Sequence, residues 1–335
     1  MNKNEKTIPI LKKNKFFNPN ALNTKRKWFH YLLWQIGYYD DPMPPPKMPK
    51  GFQYPNPPEE IVTKAPTVTW INHCTFLIII DGIAILTDPI WSRRCSPVPV
   101  FGPKRKHRPP IALKDLPPID IVLISHNHYD HLDKKTVLKL HKRYPHIQWV
   151  VPEGVKKWFS KKGIQNTIEL SWWESTGLDL PKQEPEIKVT AVPSQHFSGR
   201  GLFDLDKSLW CGYVLDIKRP EKEDKRLYFV GDTGYNPHVF KEIGSFFGKM
   251  DLSLIPIGTY VPNRFMAPVH IDPESAVSIH KEVCSKLSIG MHWYTFRLSE
   301  EARLQPTYDL FLSMKQADLD PLQFRAIFPG QMLNW

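Results

Sequence analysis

The apolar run Ile119-Asp120-Ile121-Val122-Leu123-Ile124 passes directly into Ser125-His126-Asn127-His128-Tyr129-Asp130-His131, and that junction constrains the fold more than any other stretch. So short a run reads as a buried strand, which calls for a sheet covered on both faces. The polar residues leave that strand at its carboxyl end, where a rigid element meets a loop. His126, His128, Asp130 and His131 offer imidazole and carboxylate without thiolate. This donor set suits a catalytic divalent metal, most readily zinc, with positions left open for water and substrate. Together they overfill one open site, which points to two adjacent metals. A metal-free, His-rich surface loop is the alternative. It accounts for a lone His-x-His better than for His-x-His-x-Asp-His after a buried strand.

Further donors stand at the ends of other apolar runs. His196 follows Ile187 to Pro193, Asp232 closes Arg226 to Gly231, and His292 closes Leu287 to Met291. The alternation predicts strands near 67–72, 76–81 and 83–87, with Asp81-Gly82 as a hairpin turn, and others near 187–193, 208–217, 226–231 and 251–257. Lys134 to Arg143 reads as a basic helix, and Asp272-Pro273-Glu274 as a capped helix start. An α/β fold of αββα sandwich type, with its site along one edge of the sheets, fits that order.

The order His-x-His-x-Asp-His, His196, Asp232, His292 resembles the binuclear metallo-β-lactamase superfamily. Within it, the chain resembles the N-acyl-phosphatidylethanolamine-hydrolysing phospholipase D family. The resemblance is carried by Thr69-Trp70-Ile71-Asn72-His73-Cys74-Thr75, Leu86-Thr87-Asp88-Pro89-Ile90, Leu116 to Asp120, Ser125 to Asp133, and Gly231-Asp232-Thr233-Gly234-Tyr235. Pro256 to Tyr260, His270-Ile271-Asp272-Pro273-Glu274 and His292-Trp293-Tyr294-Thr295-Phe296 extend it. It runs from about Phe17 nearly to the C-terminus. The His-x-His-x-Asp-His motif alone specifies the superfamily; Asn127, Tyr129 and the His-Ile-Asp-Pro-Glu segment narrow it.

The resemblance implies a metallo-β-lactamase-like four-layer fold and two zinc ions per chain. His126, His128 and His196 would hold one metal, Asp130, His131 and His292 the other, and Asp232 would bridge them. On that resemblance Asp130 and Asp232 would be the catalytic carboxylates. Tyr129 and His270 would contact substrate, their alternative being loop packing. Asp88 could orient a ligand imidazole or simply form an Asx turn before proline, and His73 reads as a supporting residue. The remaining histidines, His107 and His280 among them, default to the surface. The implied reaction is hydrolysis of N-acyl-phosphatidylethanolamine to an N-acylethanolamine and phosphatidic acid.

The chain has 335 residues, 41% hydrophobic and 24% charged, enough to bury a sizeable core. Residues 1–58 read as a basic, aromatic arm with a Pro-rich strap, and 59–335 as the hydrolase domain. No apolar stretch is long enough to span a bilayer, and Met1 to Lys15 carries no signal-like apolar core, so a cytoplasmic location is expected. Cys74, Cys95, Cys211 and Cys284 lie far apart and read as reduced thiols. The net charge of +11 calls for an anionic partner. Lys104-Arg105-Lys106-His107-Arg108, beside Val98, Val100 and Phe101, suits an anionic membrane surface and a membrane phospholipid substrate, the alternative being a solvated charge run. Trp28 to Ile36, preceded by Lys25-Arg26-Lys27, would either lie in a lipid interface or pack on its own domain or on a second subunit of a homodimer.

Three rivals differ in substrate or class. A sugar-phosphate lactonase would use the same donors, but the aromatic arm and basic-apolar loop count against it. A nucleic-acid phosphodiesterase would exploit the charge, yet no RNA-gripping module or zinc-knuckle spacing accompanies it. A non-catalytic lipid-binding protein would be expected to have lost a donor, and the full set is present.

Overall fold

The computed structural model describes residues 6–19, 38, 46–57, 61–62, 64–98, 100–180, 185–201 and 203–335. The aromatic stretch Trp28 to Ile36 lies outside the described residues. A small hairpin comes first, β1 (Ile10–Lys12) and β2 (Lys15–Phe17), turned by Lys13 and Asn14, both at positive φ. Next come β3 (Thr67–Asn72), β4 (Thr75–Ile80) and β5 (Ile83–Thr87), paired antiparallel, with Asp81-Gly82 making the left-handed turn between β4 and β5. β6 (Ile121–Leu123), helix α1 (Lys134–Arg143), β7 (Gln148–Pro152), α2 (Lys156–Ser160) and β8 (Thr167–Leu170) extend the sheet in parallel.

A second sheet repeats that plan. β9 (Ser175–Gly177), β10 (Glu186–Val192), β11 (Gly212–Lys218) and β12 (Lys225–Phe229) pair antiparallel. After α3 (Pro237–Phe247), β13 (Met250–Pro256) joins in parallel, followed by α4 (Asn263–Met266), α5 (Pro273–Glu282), β14 (Ser285–Met291), α6 (Gln305–Gln316) and β15 (Phe324–Arg325). The closing strand β16 (Met332–Asn334) returns to the first sheet beside β3, so each sheet has seven strands.

Alternation explains the layering. Phe76, Ile78, Ile80, Ile121 and Leu123 join a core shared with Tyr213, Leu215, Leu227 and Phe229 of the second sheet. Leu77, Leu86, Val122 and Ile124 face the other way, onto Val137 and Leu140 of α1. The second sheet is covered outside by α5, whose Asp272 cap accepts a hydrogen bond from the Ser275 amide at 2.8 Å. This is the expected four-layer αββα arrangement. The strand expected over 208–217 begins only at Gly212.

The Pro-rich strap lies on the domain where it is described. Phe52 meets the rings of Tyr308 and Phe311, and the buried Tyr54 hydroxyl donates to the Phe324 carbonyl. His280, expected at the surface, is buried at 4% exposure against Phe324, its Nδ1 2.8 Å from Ser288 Oγ. Its position on the inner face of α5 outweighs its polarity.

Candidate metal centre

The donors meet because several strands end at one edge. β6 gives up its ladder after Ile124, whose amide still reaches Val150 O at 3.0 Å, and the chain then turns so that His131 N and Leu132 N both point at His128 O. Three contacts hold that turn. Asp133 caps α1 and accepts from Ser92 Oγ at 2.8 Å and Thr136 Oγ1 at 2.6 Å. Asn127 Oδ1 accepts from Gly199 N at 2.8 Å. Arg200 Nη1 donates to the carbonyls of Asn127 and Leu132, both at 2.7 Å, while its guanidinium lies 4.0 Å from the Tyr129 ring centre. A half-buried cation on backbone carbonyls fixes a loop that has no ladder of its own.

The second half delivers its donors singly. His196 lies in the loop after β10, Asp232 follows Gly231 after β12, and His292 ends β14. Gly231 is required there: φ is 68°, and a Cβ would come within 2.8 Å of Ser125 Cβ. His73, Asp88, Thr259 and His292 hold left-handed backbones without being glycine, with φ of 45°, 32°, 70° and 63°. Such strain costs about 1–3 kcal/mol per residue and gathers at functional sites. Fully buried side chains such as Trp70, Phe76, Tyr213 and Phe229, at roughly 1.5–3 kcal/mol each, outweigh it.

Asp232 Oδ2 lies 3.1 Å from His292 Nε2, 3.2 Å from His131 Nε2, 3.8 Å from His196 Nε2 and 4.0 Å from His126 Nε2. Asp130 Oδ2 is 3.4 Å from His131 Nε2 and 3.6 Å from His292 Nε2. On the other side of Asp232, His128 Nδ1 stands 2.8 Å from His126 Nε2 and 3.2 Å from His196 Nε2. The donors therefore form two groups, His126, His128 and His196, and Asp130, His131, Asp232 and His292, each within reach of one cation.

Partners behind the rings choose which nitrogen faces inward. Asp88 Oδ2 lies 2.6 Å from His131 Nδ1, while its carboxylate also accepts from the Ser125 amide and hydroxyl. Because Ser125 Oγ donates to Asp88, it accepts from His126 Nδ1 at 2.9 Å. Val269 O accepts from His196 Nδ1 at 2.8 Å, and Thr259 Oγ1 lies 3.1 Å from His292 Nδ1. Each contact turns the Nε2 edge of its ring to the centre.

Electrostatics separate the two groups. Burial, reinforced by neighbouring imidazoles, holds His126 well below the ordinary histidine range; burial likewise lowers His128 to about 4 and His196 to about 3. These rings are neutral and their lone pairs available. Burial opposes charge on His131 and His292 too, but the Asp232 carboxylate, with Asp130, overrides it, raising His292 to about 9 and His131 well above its usual value. Asp130 and Asp232 stay ionised because those imidazoles outweigh the cost of burial. The buried Asp232 and half-buried Asp130 carboxylates amid converging nitrogens, with His131 Nε2, His292 Nε2 and Asp232 Oδ1 lacking any hydrogen bond, fit divalent cations.

The other predicted residues fall around this centre. His73 Nε2 is 3.0 Å from Asp130 Oδ2, and His270 Nδ1 is 3.9 Å from Asp232 Oδ2. The Tyr129 hydroxyl is engaged, donating to Arg200 O at 2.8 Å, and its ring lines a cleft of about 740 Å³ walled by Trp91, Trp158 and the cations Arg93, Lys135, Lys139 and Arg200. A second cleft, about 520 Å³, borders His292, Tyr294 and Arg303. A third, about 870 Å³, lies at the far end of β10 to β12, away from every donor.

Arg105 departs from the expected basic surface run. It is buried, donates to the carbonyls of Ile90 (2.9 Å) and Ser92 (2.7 Å), and is lowered to about 10 by burial; Lys104, Lys106 and Arg108 are exposed. Arg200, Asp133, Thr259 and Val269 escaped the sequence reading. The acid that ends Asp-His-Leu-Asp just before a helix was a readable capping signal; a backbone carbonyl such as that of Val269 leaves no trace in residue type.

Comparisons agree with this architecture. The Beta-lactamase superfamily domain matches residues 84–293. The N-acyl-phosphatidylethanolamine-hydrolyzing phospholipase D 1 of Caenorhabditis elegans is 42% identical over 79% of this chain and 74% of its own length. The mitochondrial N-acyl-phosphatidylethanolamine-hydrolyzing phospholipase D of Saccharomyces cerevisiae is 37% identical over 71% of this chain, which spans 49% of that protein. A metallo hydrolase from Ignicoccus hospitalis superimposes with a TM-score of 0.58 at 20% identity, covering 81% of this chain and 98% of its own. On the superfamily match and on identity with the nematode enzyme, this chain belongs to the N-acyl-phosphatidylethanolamine-hydrolysing phospholipase D family of the β-lactamase superfamily.

Proposed function

We propose that this protein is a metal-dependent phospholipase D that hydrolyses N-acyl-phosphatidylethanolamine to an N-acylethanolamine and phosphatidic acid. Identity to the nematode and yeast enzymes supports the substrate class. The observation that carries the chemistry is Asp232 Oδ2, within 4.0 Å of the Nε2 atoms of His126, His131, His196 and His292. In this reading His126, His128 and His196 hold one zinc ion, Asp130, His131 and His292 a second, and Asp232 both. When bound, such a pair supplies a hydroxide nucleophile at neutral pH and offsets charge on the phosphoryl oxygens.

The chain's own residues do the rest. Asp88 and Ser125 hold the rings of His131 and His126 by their Nδ1 edges, and His73 steadies Asp130. His270, beside Asp232 and 14% exposed, faces substrate. Tyr129 contacts it with its ring rather than with its engaged hydroxyl.

Lipid presentation belongs to the loops beside the centre. Val100 and Phe101, 73% and 75% exposed, are followed in the chain by the exposed cations Lys104, Lys106 and Arg108, and Phe203, 85% exposed, stands in the loop after His196. No helix among the described residues is long and apolar enough to cross a membrane. The proposed association is peripheral, on an anionic, cytoplasmic membrane face, with the exposed cations contributing about 1 kcal/mol each.

Incubation with N-acyl-phosphatidylethanolamine vesicles, a lactone panel and RNA, in water enriched in heavy oxygen, tests the assignment by mass spectrometry. The expected products are N-acylethanolamine and phosphatidic acid labelled in its phosphate. Lactone opening or RNA cleavage without phospholipid turnover would overturn it.

A further inference from the structure

We infer that Asn18, on the N-terminal arm, is a positioning residue for His196, so that the arm forms part of the scaffold of the metal centre. The inference rests on the reading of His196 as a ligand. β10 stays paired with β11 only as far as Val192 opposite Gly212, and the chain then leaves the sheet. In this excursion Gln195 finds partners in its own half: its amide donates to Thr233 Oγ1 at 2.9 Å, and its carbonyl accepts from Gly234 N at 2.7 Å. His196 finds its partner 178 positions away. Its carbonyl accepts from Asn18 Nδ2 at 2.7 Å, and its amide donates to Asn18 Oδ1 at 3.2 Å. A carboxamide places a donor and an acceptor in one plane, as a peptide does, so Asn18 stands where a neighbouring strand would have been.

The orientation of that amide is itself determined. Two groups that can only donate, the His196 amide at 3.2 Å and Trp210 Nε1 at 3.0 Å (shared with Ser194 O, also 3.0 Å), face Asn18 Oδ1 and so identify that atom as the oxygen. Trp210 is 1% exposed and cannot turn aside. The arm is anchored just before: Phe16 is buried, its amide donates to Asp206 O at 2.8 Å, and Asp206 N donates to Ser198 O at 2.8 Å. Farther out, Thr7 N donates to Glu242 Oε1 at 2.9 Å, and Trp173 Nε1 donates to Thr7 O at 2.8 Å. Residues 6–18 thus run over the second half and end on the peptide of His196. Val269 O sets the rotation of the imidazole, and Asn18 sets the place from which it rotates. Neither touches the reacting atoms.

Removing such support typically costs about 10–100-fold in metal affinity. Full-length wild type, N18A, the isosteric N18D and the control H196A would be compared by chelator competition with zinc, by the visible spectrum of the cobalt-substituted proteins, and by melting of the metal-free forms. N18A is expected to weaken one zinc of the pair by about 10–100-fold and to alter the cobalt spectrum, with metal-free melting close to wild type. If N18A does not fold, N18D, which keeps an acceptor for Trp210 and loses the donor to His196 O, decides by the same readings. Wild-type affinity and spectrum in the folded Asn18 variant would overturn the inference. So would loss of zinc matched by an equal fall in metal-free melting, which would make Asn18 a support of the fold alone. If H196A keeps both zinc ions, the ligand reading itself has failed, whatever the Asn18 variants do.

Discussion

The two halves of this molecule share a strand plan and build the centre in opposite ways. The half from β3 to β8 concentrates its donors in one turn, 126–131, braced by Asp88, Asp133 and Arg200. The half from β10 to β15 scatters His196, Asp232 and His292 over three strand ends, and the whole sheet brings them together. Clustered donors depend on local bracing, whereas dispersed donors depend on register and on close backbone approach. Gly258 illustrates the second case, since a Cβ there would sit 2.4 Å from His292 O.

The largest effect is expected at the residue facing both groups. D232N should lose both metals and at least about a thousand-fold in turnover, because it removes the central charge. H128A should lose only one metal. Elemental analysis decides, and a D232N protein that retains two zinc ions would make the halves independent.

Arg200 tests whether clustering is enough by itself. R200M leaves the carbonyls of Asn127 and Leu132 unpaired, at about 1–3 kcal/mol for each buried group. Zinc affinity should fall, and denaturant melts should shift to match. Unchanged affinity would show that the 126–131 turn holds its own shape.

A smaller effect is expected for D88N, which preserves shape and frees the His131 ring. Activity or metal affinity should drop about 10–100-fold with little change in melting. A full-activity D88N enzyme would reduce Asp88 to turn formation.

The effects expected to be smallest at neutral pH lie away from the centre and emerge only in acid. Burial lowers His280 to about 4, so the unfolded chain binds a proton that the folded one refuses. Its neutral ring costs nothing above pH ~6.5; stability should decline from there towards pH 4, by on the order of 3 kcal/mol, and then level off. H280Q should flatten that slope in urea titrations. Asp81, held at about 2 by Arg219 and Lys222 from the other half, contributes stability present above its usual value of about 4 and lost as pH falls through 2.

The same contrast explains what was legible in the sequence. β3 to β5 and α1 follow from alternation and from Asp81-Gly82, and their bounds fall within a residue of expectation. The 126–131 donors are contiguous and declare themselves. His196, Asp232 and His292 needed strand ends and family likeness together. Asn18 and Arg200 were invisible because the groups they position are backbone groups, and a carbonyl 178 residues away has no residue type to read. Arg105 looked like surface charge because its run is basic; the carbonyls of Ile90 and Ser92 that bury it belong to a different stretch.

The return of β16 to β3 has a consequence for biogenesis. Met332 pairs with Thr69 and Asn334 with Thr67, so one flank of the first sheet waits for residues made far later. At roughly 5–20 residues per second, the outer edge of β3 stays open for on the order of ten seconds or more on the ribosome. An open, apolar edge is a template for wrong pairing. The first sheet, on which the metal turn stands, is therefore complete only when the strand at 332–334 emerges.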